Sequence, residues 1–317
     1  MNEMDIFKEK EIREQVTISK EALTEVEEAF RHLYKGQVSQ PPVIRVDVPE
    51  HRGETDIKTA YIPGFETFAI KVSSGFFDNP KKGLPSLGGL MLAMDSETGV
   101  PKALLQDNGY LTDVRTALAG AVAASKLAKT HIKSVGVIGT GMQARLQVEA
   151  LKLVRSFAQV HVYGRTQEHA KAYKRDMEEA YGVTVQIESD VENVVKASDL
   201  IVTTTPSTEP LIQAEWLHPG LHITAMGSDA EHKNELSPNV FEKADLIVGD
   251  SKSQVFTIGE LHHAAEVREE DVTELGAIVH GDALGRTTDE QITVCDLTGT
   301  GVQDTAIANF ALRRLSR

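Results

Sequence analysis

The 317-residue sequence has a single cysteine, Cys295, which excludes an internal disulfide and fits a reducing compartment. No apolar run approaches the length needed to cross a bilayer. Residues 1–15 are highly charged and lack an apolar signal core, so the expectation is a cytoplasmic protein with no membrane partner. Basic charge is also short: 33 Lys and Arg against 47 Asp and Glu leave a formal net charge of -14, which argues against nucleic acid as a partner. There is no sequence repeat and no low-complexity tract. His232, His262 and His263 show no metal-ligand spacing, and no metal site is expected. The remaining composition, 41% apolar and 25% charged, suits a globular chain long enough for two domains, whose default partner is a small molecule.

The most informative stretch present is Ser134 to Ala144. A short β-branched run stops at Gly139, and Gly141 and Ala144 complete a G-x-G-x-x-A fingerprint just before an apolar-periodic helix. Gly139 permits the tight turn, Gly141 lets backbone approach a pyrophosphate, and Ala144 lets helix pack on strand. The free N–H groups of Thr140, Met142 and Gln143 are then available to phosphate at the positive helix end. The alternation that follows predicts a doubly wound α/β sheet: strands over 134–138, 159–163, 183–187, 199–204, 221–226 and 245–248, with helices over 142–155, 167–180 and 190–196. Ligands in such sheets sit at the carboxyl ends of strands, which directs attention to Gly139, Gly164, Thr204 with Thr205, and Met226 to Asp229. After the second strand stand Gly164-Arg165-Thr166 instead of the acid that NAD would want, so NADP(H) is favoured, with NAD(H) possible. Arg165 on a solvated loop is the plain alternative.

The first third reads differently. Ser19 caps a helix whose apolar positions run from Ala22 to Leu33 and which Gly36 ends. Strands follow over 43–48, 56–61, 67–73, 89–94 and 102–105, then a helix rich in small residues from Leu111 to Leu127. A last strand over 292–297 runs into a final helix over 302–313. The expected fold class is therefore a Rossmann-type doubly wound sheet plus a discontinuous α+β domain, with boundaries at 1–128 with 304–317 and at 129–303.

Four side chains stand out. Lys71 interrupts an otherwise apolar strand, where a lysine needs a partner. A hairpin centred between Gly64 and Phe65 sets Lys58 directly opposite it, and two like charges so placed suggest an anion between them, such as a dicarboxylate. Arg115, a turn inside its helix, could hold a substrate carboxylate or serve a structural salt bridge. Asp229, just past a strand end, could exchange a proton with a substrate nitrogen, or it could cap a helix containing Glu235. Arg45 taken alone is an ordinary strand arginine.

Together these stretches resemble the ornithine cyclodeaminase and mu-crystallin family along nearly the whole chain. The carriers are Lys81-Lys82-Gly83-Leu84-Pro85 with Gly89-Leu90-Met91, Tyr110 to Thr116, the Gly139 fingerprint, Gly227-Ser228-Asp229 with Lys233 and Glu235, Gly259-Glu260-Leu261, and Gly301-Val302-Gln303-Asp304. The resemblance implies a homodimer paired through the N-terminal domain, which binds an amino or imino acid, beside a nicotinamide-binding domain. It implies Arg45, Lys71 and Arg115 at the substrate carboxylate, with Lys71 and Asp229 catalytic. Thr112, Ser228 and Thr300 join the cofactor set by the same route. Within the family the chain lacks the NAD-type acid and carries Lys58 where a diamine-binding carboxylate is expected, both of which disfavour ornithine. Residues 57–64, 75–80 and 296–301 look more like the branch holding iminosuccinate reductases and ectoine-utilisation proteins. An imino-acid reductase is therefore expected, with a cyclodeaminase or a non-catalytic NADP-binding protein as alternatives.

Overall fold

The computed structural model describes residues 4–316 of the chain. Residues 1–3 of the charged N-terminal stretch, and residue 317 at the end of the expected first domain, lie outside the described residues. The chain divides into two compact units: one reaches to Arg115 and takes in the segment from Thr300 on, and the other is Thr116–Gly299.

The first unit contains β1 (Asp5–Lys8), α1 (Glu9–Gln15), α2 (Lys20–Tyr34), β2 (Ile44–Val48), β3 (Gly53–Ala60), β4 (Thr67–Phe76), β5 (Leu87–Asp95) and β6 (Pro101–Gln106). Its six strands order as β1-β6-β5-β4-β3-β2, antiparallel throughout except that β1 runs parallel to β6 at the edge. Period-2 alternation splits each strand between two faces. Ala60, Ala69, Met91, Ala93 and Leu105 are buried on one face, whose covering helices contribute Val26, Ala29, Phe30, Val302 and Ala306. Ser19 caps α2 as expected, its Oγ accepting from Ala22 N at 3.2 Å. The sequence reading has neither β1 nor α1, because a charged alternation gives no apolar period to follow. It also starts β3 late: the chain turns at Arg52, in the left-handed region, so the strand opens at Gly53.

The helix α3 (Tyr110–Leu127) crosses the divide between Arg115 and Thr116. The expected boundaries after 128 and 303 are therefore displaced to 115 and 299. The reason is local. Beyond Arg115 the helix belongs to the second unit: Gln147 Nε2 donates to Thr116 O at 3.1 Å, and Arg155 gathers the last carbonyls, Ala124 at 2.8 Å and Ala128 at 3.0 Å.

In the second unit follow β7 (Ser134–Ile138), α4 (Met142–Leu151), β8 (Gln159–Tyr163), α5 (Gln167–Tyr181), β9 (Thr184–Ile187), α6 (Val191–Ala197), β10 (Leu200–Thr203), β11 (His222–Ala225), α7 (Asn239–Lys243), β12 (Leu246–Gly249), α8 (Lys252–Ile258), β13 (Val272–Glu274), α9 (Leu275–His280) and β14 (Thr293–Asp296). The first unit then receives α10 (Gly301–Leu315). The eight strands order as β13-β12-β14-β11-β10-β7-β8-β9, and every pairing is parallel. Such a sheet is covered on both faces, which is why β7, β10, β11 and β14 are buried at every residue. Val135 and Val137 pack into one core with Val148, Val162 and Tyr173, and Ile138 packs into the opposite one with Val194, Ile223 and Phe241. From β7 the chain winds to β8 and β9 on one side and to β10 and β11 on the other. The strand order thus reverses between β7 and β10, which is where the Rossmann-type reading places a ligand. None of the described helices is long and apolar enough to cross a membrane.

Candidate active site

In the first unit the β3 and β4 register sets Lys58 directly opposite Lys71. Both ammonium side chains are buried, at 6% and 2% exposure, on the face that carries Ala60 and Ala69. What arrives against them is α10. Thr305 Oγ1 donates to Ala60 O at 2.7 Å and accepts from Ala69 N at 3.0 Å, and Asn309 Nδ2 donates to Thr67 O at 2.8 Å. These bonds fix the helix on the two strands and deliver Asp304, fully buried, to Lys71: Nζ lies 3.0 Å from Oδ2. Arg115 completes the group, with Nε 2.9 Å from Asp304 Oδ1 and Nη1 donating to Gln303 Oε1 at 3.1 Å.

The structural salt bridge left open for Arg115 therefore exists, and an internal carboxylate meets the opposed lysines. Lys58, Lys71 and Arg115 are thus three buried basic side chains whose charges all bear on Asp304. Burial pushes the Lys71 ammonium down to about 7, Arg115 and Lys58 push the same way, and Asp304 opposes them. Burial would raise Asp304, but the Lys71 and Arg115 charges win and hold it below the usual carboxylate range.

Arg45 is on the same sheet face but stands apart from this group. Its guanidinium is held by Asp47 at 3.0 Å, by Asp56 at 3.4 Å and by Glu54, and it is partly exposed. Thr112 lies in the first turn of α3, and Thr300 is the N-cap of α10, both within the first unit.

In the second unit the fingerprint turn has the geometry its residues require. Gly139 has φ +118°, and a Cβ there would fall 2.5 Å from Thr204 Oγ1, so β7 and the loop after β10 meet only because the side chain is absent. Gly141 is the N-cap of α4, with no side-chain cap and nothing within 4 Å of where its Cβ would stand. The turn thus leaves an open cradle at a helix N-terminus, with the backbone of Thr140 to Ala144 available to a pyrophosphate. Gly164, Arg165 and Thr166 follow β8. Arg165 is exposed and makes no ion pair among the described residues, and α5 begins without a side-chain cap. The residues present fit a dinucleotide.

Past β11 the chain forms no helix at Asp229, so the N-cap alternative is removed. The loop Met226 to Glu235 is tied down instead. Ser228 Oγ donates to Lys233 O at 2.7 Å, and Lys233 Nζ lies 2.5 Å from Asp229 Oδ1, with the aspartate side chain 44% exposed. Glu235 is the fastener: Oε1 accepts from Thr205 N at 2.7 Å and Thr205 Oγ1 at 2.6 Å, and Oε2 accepts from Gly227 N at 2.9 Å. Burial pushes its carboxyl up, against the pull of these donors. Beneath it Glu260, driven up to about 8 by burial and then by Glu235's charge, accepts from Glu235 N at 2.9 Å and Asn234 Nδ2 at 2.8 Å. A Cβ on Gly227 would lie 2.2 Å from Thr205 O, so the two loops are in contact as well as bonded.

Neither Glu235 nor Asp304 is visible as a working residue from sequence spacing, since each stands among polar neighbours, Lys233-Asn234 and Gln303 with Thr305. Glu235→Gln should cost about 1–3 kcal/mol, because one amide hydrogen must face a donor. The thermal midpoint should fall by several degrees; an unchanged midpoint would show that the clamp carries no weight. The histidines are structural: His263 Nε2 contacts Lys233 O and His262 Nδ1 contacts Phe256 O.

A family model for the ornithine cyclodeaminase/mu-crystallin family matches residues 2–316. The chain belongs to that family. A provisionally named dehydrogenase of Rhizobium meliloti is 51% identical, covering 99% of this chain and 96% of its own. The structure of Thermococcus litoralis Delta(1)-pyrroline-2-carboxylate reductase with NADH and L-proline is similar at TM-score 0.93 and 30% identity, covering 98% and 97% of the two chains. The structure of Paracoccus denitrificans iminosuccinate reductase with NAD+ reaches TM-score 0.90 at 30% identity, covering 99% and 96%. The family, the α/β class and the Rossmann-type sheet read from the sequence are thereby borne out.

Proposed function

We propose that this family member is an NAD(P)H-dependent reductase of an imino acid, with iminosuccinate to aspartate as the specific reaction. The observation that carries the reading is the burial of three basic side chains, Lys58, Lys71 and Arg115, in one group with Asp304. One substrate carboxylate is assigned to Arg115 and Lys71, and a second to Lys58. The relatives support C–N chemistry: one matched structure holds NADH and proline, and another is an iminosuccinate reductase.

In this reading Arg115 and Lys71 hold the α-carboxylate, Arg45 joins them if it leaves its three acids, and Lys58 takes the distal carboxylate. The cradle of Gly139, Thr140, Gly141, Met142, Gln143 and Ala144 holds the pyrophosphate, and Gly164, Arg165 and Thr166 hold the adenosine ribose. Thr112, Thr204, Thr205, Met226, Ser228 and Thr300 complete the cofactor set. When bound, the reduced nicotinamide supplies a hydride to the imine carbon. Asp229 supplies the proton that the nitrogen takes up as the C=N bond becomes C–N, and Lys71 fixes the carboxylate next to the reacting carbon.

NADP(H) is favoured because Arg165 is exposed and unengaged after β8, free to pair a 2′-phosphate. Arg165→Ala should raise the NADPH KM about tenfold, the effect of losing one charge-assisted bond, and leave the NADH KM in place. A wild-type preference for NADH would end this assignment.

The resting face of the first sheet supports the homodimer. Ile44 and Val46 are exposed at 58% and 51%, and Ile57, Ile70, Val72, Leu90 and Leu92 beside them are only partly covered within the chain. An absorbance assay with imino acids formed from 2-oxo acids and ammonia tests the whole reading. Stoichiometric NAD(P)H loss supports a reductase, ammonia release without net cofactor change means a cyclodeaminase, and neither means a binding protein.

A further inference from the structure

Asp304 has no role in the chemistry set out above, yet each of its oxygens faces a buried cation. Its oxygens are divided, Oδ1 to Arg115 Nε at 2.9 Å and Oδ2 to Lys71 Nζ at 3.0 Å. Its helix cannot drift, because Thr305 bridges Ala60 O and Ala69 N, the backbone of β3 and β4 two residues from Lys58 and Lys71. Gln303, one residue earlier, fixes the other side of the same guanidinium at 3.1 Å.

We propose that Asp304 is a positioning residue of the carboxylate site, aligning Arg115 and Lys71 for one substrate anion and letting three cations share a buried site. The inference rests on the imino-acid reading. Two cations held by opposite oxygens of one immobile carboxylate are set in direction and separation before any ligand arrives, which is what a preorganised anion site requires. The charges facing Lys71 are Lys58 from β3, Arg115 from α3 and Asp304 from α10; Asp107, ahead of α3 and coupled to Asp304, is pushed up to about 6 by burial and is neutral only below that pH. Of those bearing on Lys71, only Asp304 favours the charged ammonium. A carboxylate that merely neutralised a lysine would have no reason to reach Arg115 and would tolerate an apolar replacement of the pair.

The test is Asp304→Asn, which keeps the shape and an acceptor oxygen and removes the charge. The substrate KM should rise at least tenfold while NAD(P)H affinity, read by fluorescence, stays in place. The alkaline limb of kcat/KM should move to lower pH, because Lys71 loses the group that keeps it protonated. Asp304→Glu keeps the charge and displaces it by one methylene: the KM should again rise and the limb should stay. A structural role would lower the melting temperature and move neither. Unchanged KM and an unmoved limb in Asp304→Asn overturn the proposal. So does failure of both variants to fold, judged by circular dichroism and gel filtration, since that assigns Asp304 to the fold. If the wild type turns over no imino acid, the reductase reading falls separately. Calorimetric binding of succinate then decides on Asp304: weaker binding in Asp304→Asn sustains the proposal, and equal binding overturns it.

Discussion

Asp229→Asn should lower kcat by about 10²–10⁴ while the protein stays folded and binds its cofactor as before, the span expected when a general acid is removed. Asparagine can still accept from Lys233, the partner Asp229 meets at 2.5 Å, so the tie across the loop persists. The carboxylate side chain is 44% exposed while the Lys233 ammonium it meets is 9% exposed, so the variant should lose some stability without unfolding. What asparagine cannot do is release a proton to the substrate nitrogen. The variant should therefore separate chemistry from binding: a large fall in kcat, a small change in KM, and an unchanged cofactor dissociation constant measured by fluorescence quenching. A variant retaining more than a tenth of wild-type kcat would remove Asp229 from the reaction.

Lys58→Ala should raise the KM for a dicarboxylic imino acid about tenfold to a hundredfold and leave a monocarboxylic one, formed from pyruvate and ammonia, nearly unaffected. The magnitude is that of one hydrogen bond to a charged group, about 1.5–3 kcal/mol. The change also relieves the repulsion between Lys58 and Lys71, which directly oppose each other. The ratio of the two substrates' kcat/KM values is the useful readout, since any general loosening of the sheet cancels from it. Equal losses on both substrates would mean that Lys58 supports the sheet and does not select a second carboxylate.

Much of this arrangement is legible in the sequence where a single local rule decides it. The turn at Gly139 requires a residue without a side chain, and the hairpin about Gly64 and Phe65 fixes the register by symmetry, so Lys58 meets Lys71 as read. Arg115 is legible as an anion binder, but its structural partner is not, because Asp304 is 189 residues away and only the seating of α10 brings it near. Arg45 shows the converse. Its position in β2 is readable, while the grip of Asp47, Glu54 and Asp56 arises from strand pairing. Short elements escape for another reason: β13 has three residues and α9 six, too few for a period to repeat. Asp229 reads also as the N-cap of a helix containing Glu235, whereas in the structure Glu235 bonds Thr205 and Gly227 and no helix forms.

Lys58, Lys71 and Arg115 together are proposed to select an imino dicarboxylate for reduction. The most direct measurement supplies oxaloacetate with ammonia and reduced cofactor, follows absorbance, and identifies the product by chromatography. One aspartate should form per NAD(P)H consumed, with kcat/KM at least tenfold above that for pyruvate with ammonia. Cofactor consumption with pyruvate or a cyclic imine but none with oxaloacetate would contradict it.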